Sequence, residues 1–353
     1  MIESLYHEQP IIGLEFSQSG FRVMSVDPQN WNVLGYGAAD VAIGQGLRNI
    51  TPDDAIRLSR VLSELLREHI IGSLPNSSHP HVAISIPAAL TYTRLITLPK
   101  DAEDNLLEAV HLEADQYIPI PSAELYIDYE IIDSTDKTMN VLICAAPARI
   151  VDTVIAIAVK AGLSAVHIEP STMAVARLIA ATESGELTTL IIDIGASDTN
   201  ISVLDKSIRV SGSVEVGDDT FTNALMKQLS IDKKAALQVK TLRGLSAGHQ
   251  RAKVLSAVEI HLEKIVNETK KIIRFYDERL NSEAAVEQVL IVGEGSNTPG
   301  IGEYFTEKLI LPARVASPWQ ELHFNKVGMP HKQLKPQLTT AAGLALINPK
   351  EIK

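Results

Sequence analysis

The residues best placed to do chemistry in this chain are two carboxylates. Each closes an apolar run and each is followed by a short turn of small residues. Leu14-Glu15-Phe16-Ser17-Gln18-Ser19 leads on to Phe21-Arg22-Val23 and Asp27, and Ile192-Asp193-Ile194-Gly195-Ala196-Ser197 leads on to Thr199-Asn200-Ile201 and Asp205. Every position of the second copy lies 178 residues after its counterpart in the first, in a chain of 353. A strand ending in an acid, a tight turn and a second strand can offer backbone N–H groups to phosphate. Two such hairpins facing one another outline a nucleotide clamp with two carboxylates and two phosphate turns. A third turn, Gly293-Glu294-Gly295-Ser296, follows an apolar run at residues 288–292, and its Gly295 stands 102 residues after Asp193.

Competing chemistries fail on their own motifs. No Gly-Lys dipeptide occurs, which excludes a Walker loop. Gly293-Glu294-Gly295 lacks the third glycine at dinucleotide-binding spacing, because the next is Gly300. Gly244-Leu245-Ser246-Ala247-Gly248 matches a nucleophile elbow, but it follows a helical pattern where an apolar strand is required. The single cysteine, Cys144, excludes a disulfide framework and a cysteine-based zinc site; its apolar surroundings at residues 141–145 predict a buried, inert thiol. The ten histidines are scattered, and His79 and His81 flank a proline with no third ligand nearby. A net charge of −11 without a long basic run argues against nucleic acid as a partner. Lys270, Lys271 and Arg274 lie among Glu263, Glu268, Asp277 and Glu278 and read as a solvated helix face. The first residues show no basic-then-apolar leader, and the most apolar helical stretch, residues 150–163, is broken by Asp152 and Lys160. A cytoplasmic protein without direct membrane insertion is expected.

The elements that must position the carboxylates form three units. A chain of this length needs two domains, or two with an insertion. Residues 1–80 make a first lobe: strands at 11–16, 21–26 and 31–43, then a helix from Thr51 with Leu58, Val61, Leu62 and Leu65 as its buried stripe. The Gly/Ser/Pro-rich loop at residues 72–80 ends it. Residues 81–169 read as an α+β insertion, with strands at 81–86, 92–98, 125–132, 139–145 and 165–168 and helices at 101–117 and 148–161. The first of those helices places Leu107, Val110, Ala114 and Tyr117 on one face and stops before Pro119 and Pro121. Residues 170–353 make the second lobe. It holds the second hairpin, a helical subdomain at 231–280 and a C-terminal helix at 338–347. The long helix at 251–280 carries Val254, Val258, Leu262, Ile265, Ile272 and Phe275 on one face.

This order of elements resembles the actin-like ATPase superfamily. Within it, Glu113-Ala114-Asp115-Gln116-Tyr117-Ile118-Pro119 is similar to a signature of the PilM family, cytoplasmic actin-like proteins of type IV pilus assembly. The resemblance runs from residue 11 to residue 347. It implies an α/β, ribonuclease H-like, two-lobed fold arranged as in FtsA, with residues 81–169 as an SHS2-like subdomain and a nucleotide cleft between the lobes. The family's first phosphate motif maps onto Glu15, Ser17, Gln18 and Ser19, with Arg22 at the usual lysine position. The second maps onto Asp193, Gly195, Ala196, Ser197 and Thr199. The Gly-Gly turn falls on Gly217 and Asp218, and the adenosine turn on Gly293, Glu294, Gly295 and Ser296. ATP with Mg²⁺ is the implied cofactor, the metal being held indirectly by Glu15 and Asp193.

Several positions depart from the family's pattern. Glu15 replaces aspartate. Ser17 replaces a turn glycine, a change that costs about 1 kcal/mol if that position needs positive φ. Asp218 and Glu294 replace glycines and add negative charge beside a polyanion. Ala236-Leu237 stand where the family often has a glutamate. These departures imply weak or lost nucleotide binding and a scaffold with no assigned catalytic residue; an active ATPase or small-molecule kinase is the alternative. The resemblance also implies a partner, the cytoplasmic N-terminal tail of a PilN-type inner-membrane protein. That tail would dock between the first lobe and the insertion, with Tyr117, Ile118 and Pro119 lining or shaping the groove. The protein would then be peripheral to the inner membrane through this partner and would meet other pilus inner-membrane components. Self-association into dimers or rings stays open. A self-anchored filament is not expected, because residues 348–353 are too short for a tethered amphipathic helix.

Overall fold

The two acid-tipped hairpins open the same strand topology twice. A computed structural model describes residues 9–43, 46–183, 187–246, 248, 251–279 and 284–351. In the first lobe β1 (Ile12–Ser17), β2 (Gly20–Val26) and β3 (Val33–Asp40) form an antiparallel meander extended by β4 (Ile71–Gly72). On the other side of β1, β5 (His81–Ile86) and β9 (Ser164–Pro170) add in parallel, giving the order β4-β3-β2-β1-β5-β9. In the second lobe β10 (Thr189–Ile194), β11 (Thr199–Asp205) and β12 (Ser207–Val214) repeat the meander. There β13 (Gln288–Val292) and β14 (Ala313–Val315) repeat the parallel additions, giving β12-β11-β10-β13-β14. The register repeats as well: Glu15 pairs with Arg22, and Asp193 pairs with Asn200.

Helix α1 (Pro52–Glu68) starts where its sequence says it should. Thr51 Oγ1 accepts from the Asp54 N–H, and the Asp54 carboxylate accepts from the Thr51 N–H, a reciprocal cap that satisfies two otherwise orphaned donors. Leu58, Leu62 and Leu65 are fully buried, while Val61 stands at the border of the stripe.

The insertion is narrower than residues 81–169, because β5 and β9 at its two ends pair within the first lobe; its own sheet is antiparallel, β6 (Tyr92–Pro99), β8 (Thr138–Pro147) and β7 (Leu125–Ser134) in the order β6-β8-β7. Helix α2 (Leu106–Tyr117) covers one face through Leu106, Val110 and Ala114, against Ile96, Met139, Val141 and Ile143. The expected stripe is out of phase at both ends: Leu107 is 57% exposed and Tyr117 50%. A 3-10 turn at Lys100–Asn105 precedes the helix, and its tighter winding shifts the core position from Leu107 to Leu106. Helix α3 (Ala148–Lys160) returns the chain to the first lobe and ends before Gly162, whose φ of 87° suits a left-handed cap.

Helix α4 (Ser171–Thr182) joins the lobes and is apolar nearly all round, as a helix buried between two sheets should be. Val175 and Ile179 pack on Ile191 and Leu290 of the second lobe, while Leu178 packs on Met24 and Val26 of the first. The second lobe continues with α5 (Asp218–Leu229), α6 (Lys233–Leu242), α7 (Arg251–Arg279) and α8 (Ile301–Leu309). On α7 the buried row passes through Ile272 to Tyr276, four residues on; Phe275, the expected aromatic, is 39% exposed. The C-terminal helix α9 (Thr339–Ala345) lies against β1, β2 and α4, on the first lobe's side of the junction. Glycines permit that approach: a Cβ on Gly13 would stand 2.1 Å from the Ala341 carbonyl oxygen, and one on Gly343 would stand 1.9 Å from that of Ala174.

Candidate functional site

The parallel pairs β1–β5 and β10–β13 aim the two acid-tipped strand ends at one crevice between the lobes. Glu15, Ser17, Gln18, Ser19 and Arg22 line it from the first lobe, and Asp193, Gly195, Ala196, Ser197, Gly293 and Glu294 from the second. The remaining residues mapped from sequence stand behind this wall and brace it. Thr199 Oγ1 donates to the Val216 carbonyl at 2.7 Å. The Asp218 and Asp219 N–H groups, at the start of α5, donate to the Gly195 and Ala196 carbonyls at 2.8 and 2.9 Å. Gly217 is needed there, since a Cβ would meet the Ala196 carbonyl oxygen at 2.4 Å. Gly293, at φ 80°, and Gly295 wrap the end of β10, where side chains would strike Asp193 Oδ1 and Ile194 Cγ2 at 2.4 and 2.3 Å. Ser296 donates its N–H to the Gly293 carbonyl and closes the turn.

Sequence reasoning missed a second ring of lining residues. Pro87, Ser171 at the start of α4, Asp198, Asn200, Gln337, Thr339 and Thr340 all face the crevice. Asn200 was within reach, because it stands 178 residues after Arg22. Thr340 carried no signal; it arrives from α9 and hydrogen-bonds the Glu15 carboxyl. The Ser17 expectation changes too. Ser17 keeps an ordinary negative φ, the positive value falling on Gly20 at 137°, so the glycine penalty does not arise. Ser17 Oγ instead lies 3.0 Å from Ser19 Oγ and within hydrogen-bond reach of the Gly20 carbonyl.

Charge is concentrated here. Burial pushes the Glu15 carboxyl up to about 8, with Asp193 and Glu294 adding to the rise and Arg22 and Thr340 opposing it. Burial pushes Asp193 to about 7, helped by Asp198 and Glu294. Glu294 also reaches about 7, from burial and from Asp218, Asp219 and Asp40, against the pull of Arg22. Arg22 itself is 3% exposed. Its Nη1 donates to the Phe21 carbonyl at 3.0 Å, and its Nη2 donates to Asp40 Oδ1 at 2.8 Å and lies 3.9 Å from Glu294 Oε1. Asp218 is neutralised within its own lobe by Lys240, which is equally buried and donates to Thr222 Oγ1 at 2.7 Å.

The donor set suits a hydrated divalent cation between Glu15 and Asp193. The enclosed part of the crevice is small, about 60 Å³, where ligand pockets usually run from about 300 to 1,000 Å³.

Two further crevices flank the insertion. One, of about 350 Å³, separates it from the edge strand β12 and is lined by Tyr117, Ile118, Arg94 and residues 211–213. Arg94 stacks its guanidinium 3.6 Å over the Tyr117 ring. Pro119 is exposed outside that lining. The other, of about 300 Å³, separates the insertion from the first lobe and is lined by Asp128, Tyr129 and Glu130 of β7, Leu142 and Cys144 of β8, residues 167–170 of β9, and Met173 and Arg177 of α4. Glu169 sits at its base, held bidentately by Arg177 at 2.6 Å and by His167 at 3.1 Å. Burial raises its carboxyl, but Arg177 and His167 outweigh that and leave it below the usual value. Burial pushes the Cys144 thiol up to about 12; the side chain is half-buried, not fully enclosed as expected.

Comparison with known proteins agrees with this architecture. A family model described as type IV pilus assembly protein PilM matches residues 13–348. A solved PilM-PilN type IV pilus biogenesis complex is 21% identical and superposes with a TM-score of 0.79 over 96% of this chain and 98% of that one. The ethanolamine utilization protein EutJ from Carboxydothermus hydrogenoformans is 16% identical, with a TM-score of 0.55 over 95% of this chain and 89% of that one. MreB 5 of Spiroplasma citri bound to AMPPNP is 14% identical, with a TM-score of 0.54 over 95% and 94%. The fold is therefore that of the actin-like ATPases. Among the described residues no helix is long and apolar enough to cross a membrane. With the family model spanning nearly all of a two-lobed chain that carries an insertion in its first lobe, the protein belongs to the PilM family of type IV pilus assembly proteins.

Proposed function

We propose that this chain is a scaffold that docks the cytoplasmic N-terminal tail of a PilN-type inner-membrane protein in the crevice between insertion and first lobe. The observation that carries this reading is a pair of open strand edges. β7 ends the order β6-β8-β7 and β9 ends the order β4-β3-β2-β1-β5-β9, and both line the same crevice. An extended tail gains main-chain hydrogen bonds along such edges and side-chain pockets between them. Leu142, Ile168 and Met173 supply apolar contact, and Asp128 and Glu130 favour a basic residue in the tail. The similarity to a PilM-PilN complex supports the same partner. Docking would keep the protein peripheral to the inner membrane and bring it to other pilus inner-membrane components. A second reading rests on Arg94 stacked over Tyr117 and places the tail along β6 and β12, against Tyr117 and Ile118 with Pro119 shaping the entrance.

For the cleft we propose weak ATP and Mg²⁺ binding through Glu15, Asp193 and the three turns, with little or no turnover. The AMPPNP-bound MreB 5 supports a nucleotide site in this fold, and the Glu294 carboxylate, which lines the cleft, weighs against tight binding. Calorimetry with a synthetic PilN-type tail tests the scaffold: low-micromolar binding is expected, and no heat at high micromolar tail rejects it. ATP turnover that disappears in Asp193→Ala would establish the enzyme alternative.

A further inference from the structure

The cleft contains a cation of its own. Arg22 is the one Lys or Arg among the described residues lining it. It belongs to the first lobe, on β2, opposite Glu15 in register. The Phe21 carbonyl and Asp40 hold its guanidinium in place, and the side chain is 3% exposed. From there it reaches across the crevice to Glu294 of the second lobe at 3.9 Å. Its charge acts on both Glu15 and Glu294. The equivalent position of the second hairpin is neutral: Asn200 donates to Asp198 at 3.2 Å and accepts from Ser213 at 2.7 Å.

We infer that Arg22 and Glu294 form a latch between the lobes, in which a tethered guanidinium supplies the positive charge that a bound metal ion would otherwise supply and draws the two lobes together. The pair bridges the first phosphate turn's lobe and the adenosine turn at the small enclosed part of the crevice, which both residues line. A nucleotide must then break the latch before it can enter. Its apparent affinity falls by the fraction of molecules that are open, while the closed form supports the rest of the scaffold. This inference rests on the proposed nucleotide role of the cleft and not on tail docking, so the two can fail separately.

The test is a distance measurement across the lobes on the full chain, with one spin label on the exposed face of α1 and one on α6. The wild type without nucleotide is expected to give a single narrow, closed distance. Glu294→Gln, which keeps the shape and removes the charge, should lengthen or broaden it, and so should Arg22→Met. Millimolar Mg²⁺ should restore the closed distance in Arg22→Met by neutralising the cleft carboxylates that the arginine no longer serves, and should leave the wild type unchanged. Mg·ATP should bind Glu294→Gln about tenfold more tightly than wild type, with the lobe distance changing in step. If Glu294→Gln keeps the wild-type distance, there is no latch. Should that variant gain ATP affinity without opening, the glutamate repels the nucleotide locally and the latch is again wrong. Arg22→Met that fails to fold leaves the decision with Glu294→Gln.

Discussion

The two hairpins share a topology and a register, yet they handle buried negative charge in opposite ways. In the first, Glu15 faces an arginine that also spans the lobes. In the second, Asp193 faces an asparagine, and the turn is held by backbone: its carbonyls dock on the first N–H groups of α5. Lys240 of the same lobe pairs with Asp218 behind the wall. The first hairpin is thus positioned by a charge that other charges can compete for, and the second by a hydrogen-bonded frame. A repeat of backbone geometry therefore need not be a repeat of electrostatics.

The harshest way to break that comparison is to remove Lys240. Lys240→Met leaves the Asp218 carboxylate, one of whose oxygens already lacks a partner, buried without its cation. Removing one member of a buried pair typically costs about 3–5 kcal/mol. Urea denaturation should show that loss, and Asp218→Asn added to Lys240→Met should recover much of it. Arg22→Met should cost less, because its partner Asp40 is 85% exposed.

A pH series sharpens the comparison next. Glu15, Asp193 and Glu294 all have carboxyls raised well above their unfolded values. At these three groups the folded state therefore binds more protons than the unfolded chain above about pH 4, and their contribution to stability falls as pH rises. The contribution is complete below the unfolded values of 4.5 and 3.8 and is lost as pH climbs through about 7 to 8. We expect Glu15→Gln to gain on the order of 2 kcal/mol over wild type at pH 8 and little at pH 5, after allowance for relaxation and counter-ions. A flat pH profile in wild type between those limits contradicts this picture of the cleft.

Much of this arrangement was legible in the residues. The paired hairpins stood out because a strand, an acid and a small-residue turn recurred at one offset, and parallel strand order carried both to the same crevice. The change of rhythm pointed to an insertion over residues 81–169, but that range is too wide: β5 and β9 pair within the first lobe's sheet and α3 packs on the first lobe's core. What stayed hidden depended on distance or phase. Thr340 reaches Glu15 only because glycines at 13 and 343 let two helices and a strand approach closely, and no local pattern reports such an encounter. Helix α4 escaped notice because a helix buried on both sides has no amphipathic stripe to read. The choice of Phe275 over Tyr276, and of Leu107 over Leu106, is a one-residue error of phase, which a preceding 3-10 turn introduces in the second case.

The two crevices beside the insertion make a second pair, and charge separates them. Asp128→Lys with Glu130→Lys reverses the acidic rim of the first-lobe crevice at exposed side chains. We expect at least about a tenfold loss of tail affinity, or 1.4 kcal/mol, with no change in the denaturation midpoint. Equal affinity in the reversed variant moves the docking site elsewhere.

The smallest effect is the one that decides between the crevices. Tyr117 is half exposed and outside the insertion's core, so Tyr117→Ala creates no cavity. What it loses is the stacked guanidinium of Arg94, worth about 0.5–1 kcal/mol at an exposed site. Stability should fall by no more than that. If the tail lies between β7 and β9, calorimetry should find its affinity in Tyr117→Ala within about twofold of wild type, since the ring lines only the opposite crevice. A drop of tenfold or more, in a variant whose unfolding midpoint barely moves, would place the tail along β6 and β12 and make Arg94 and Tyr117 its contacts.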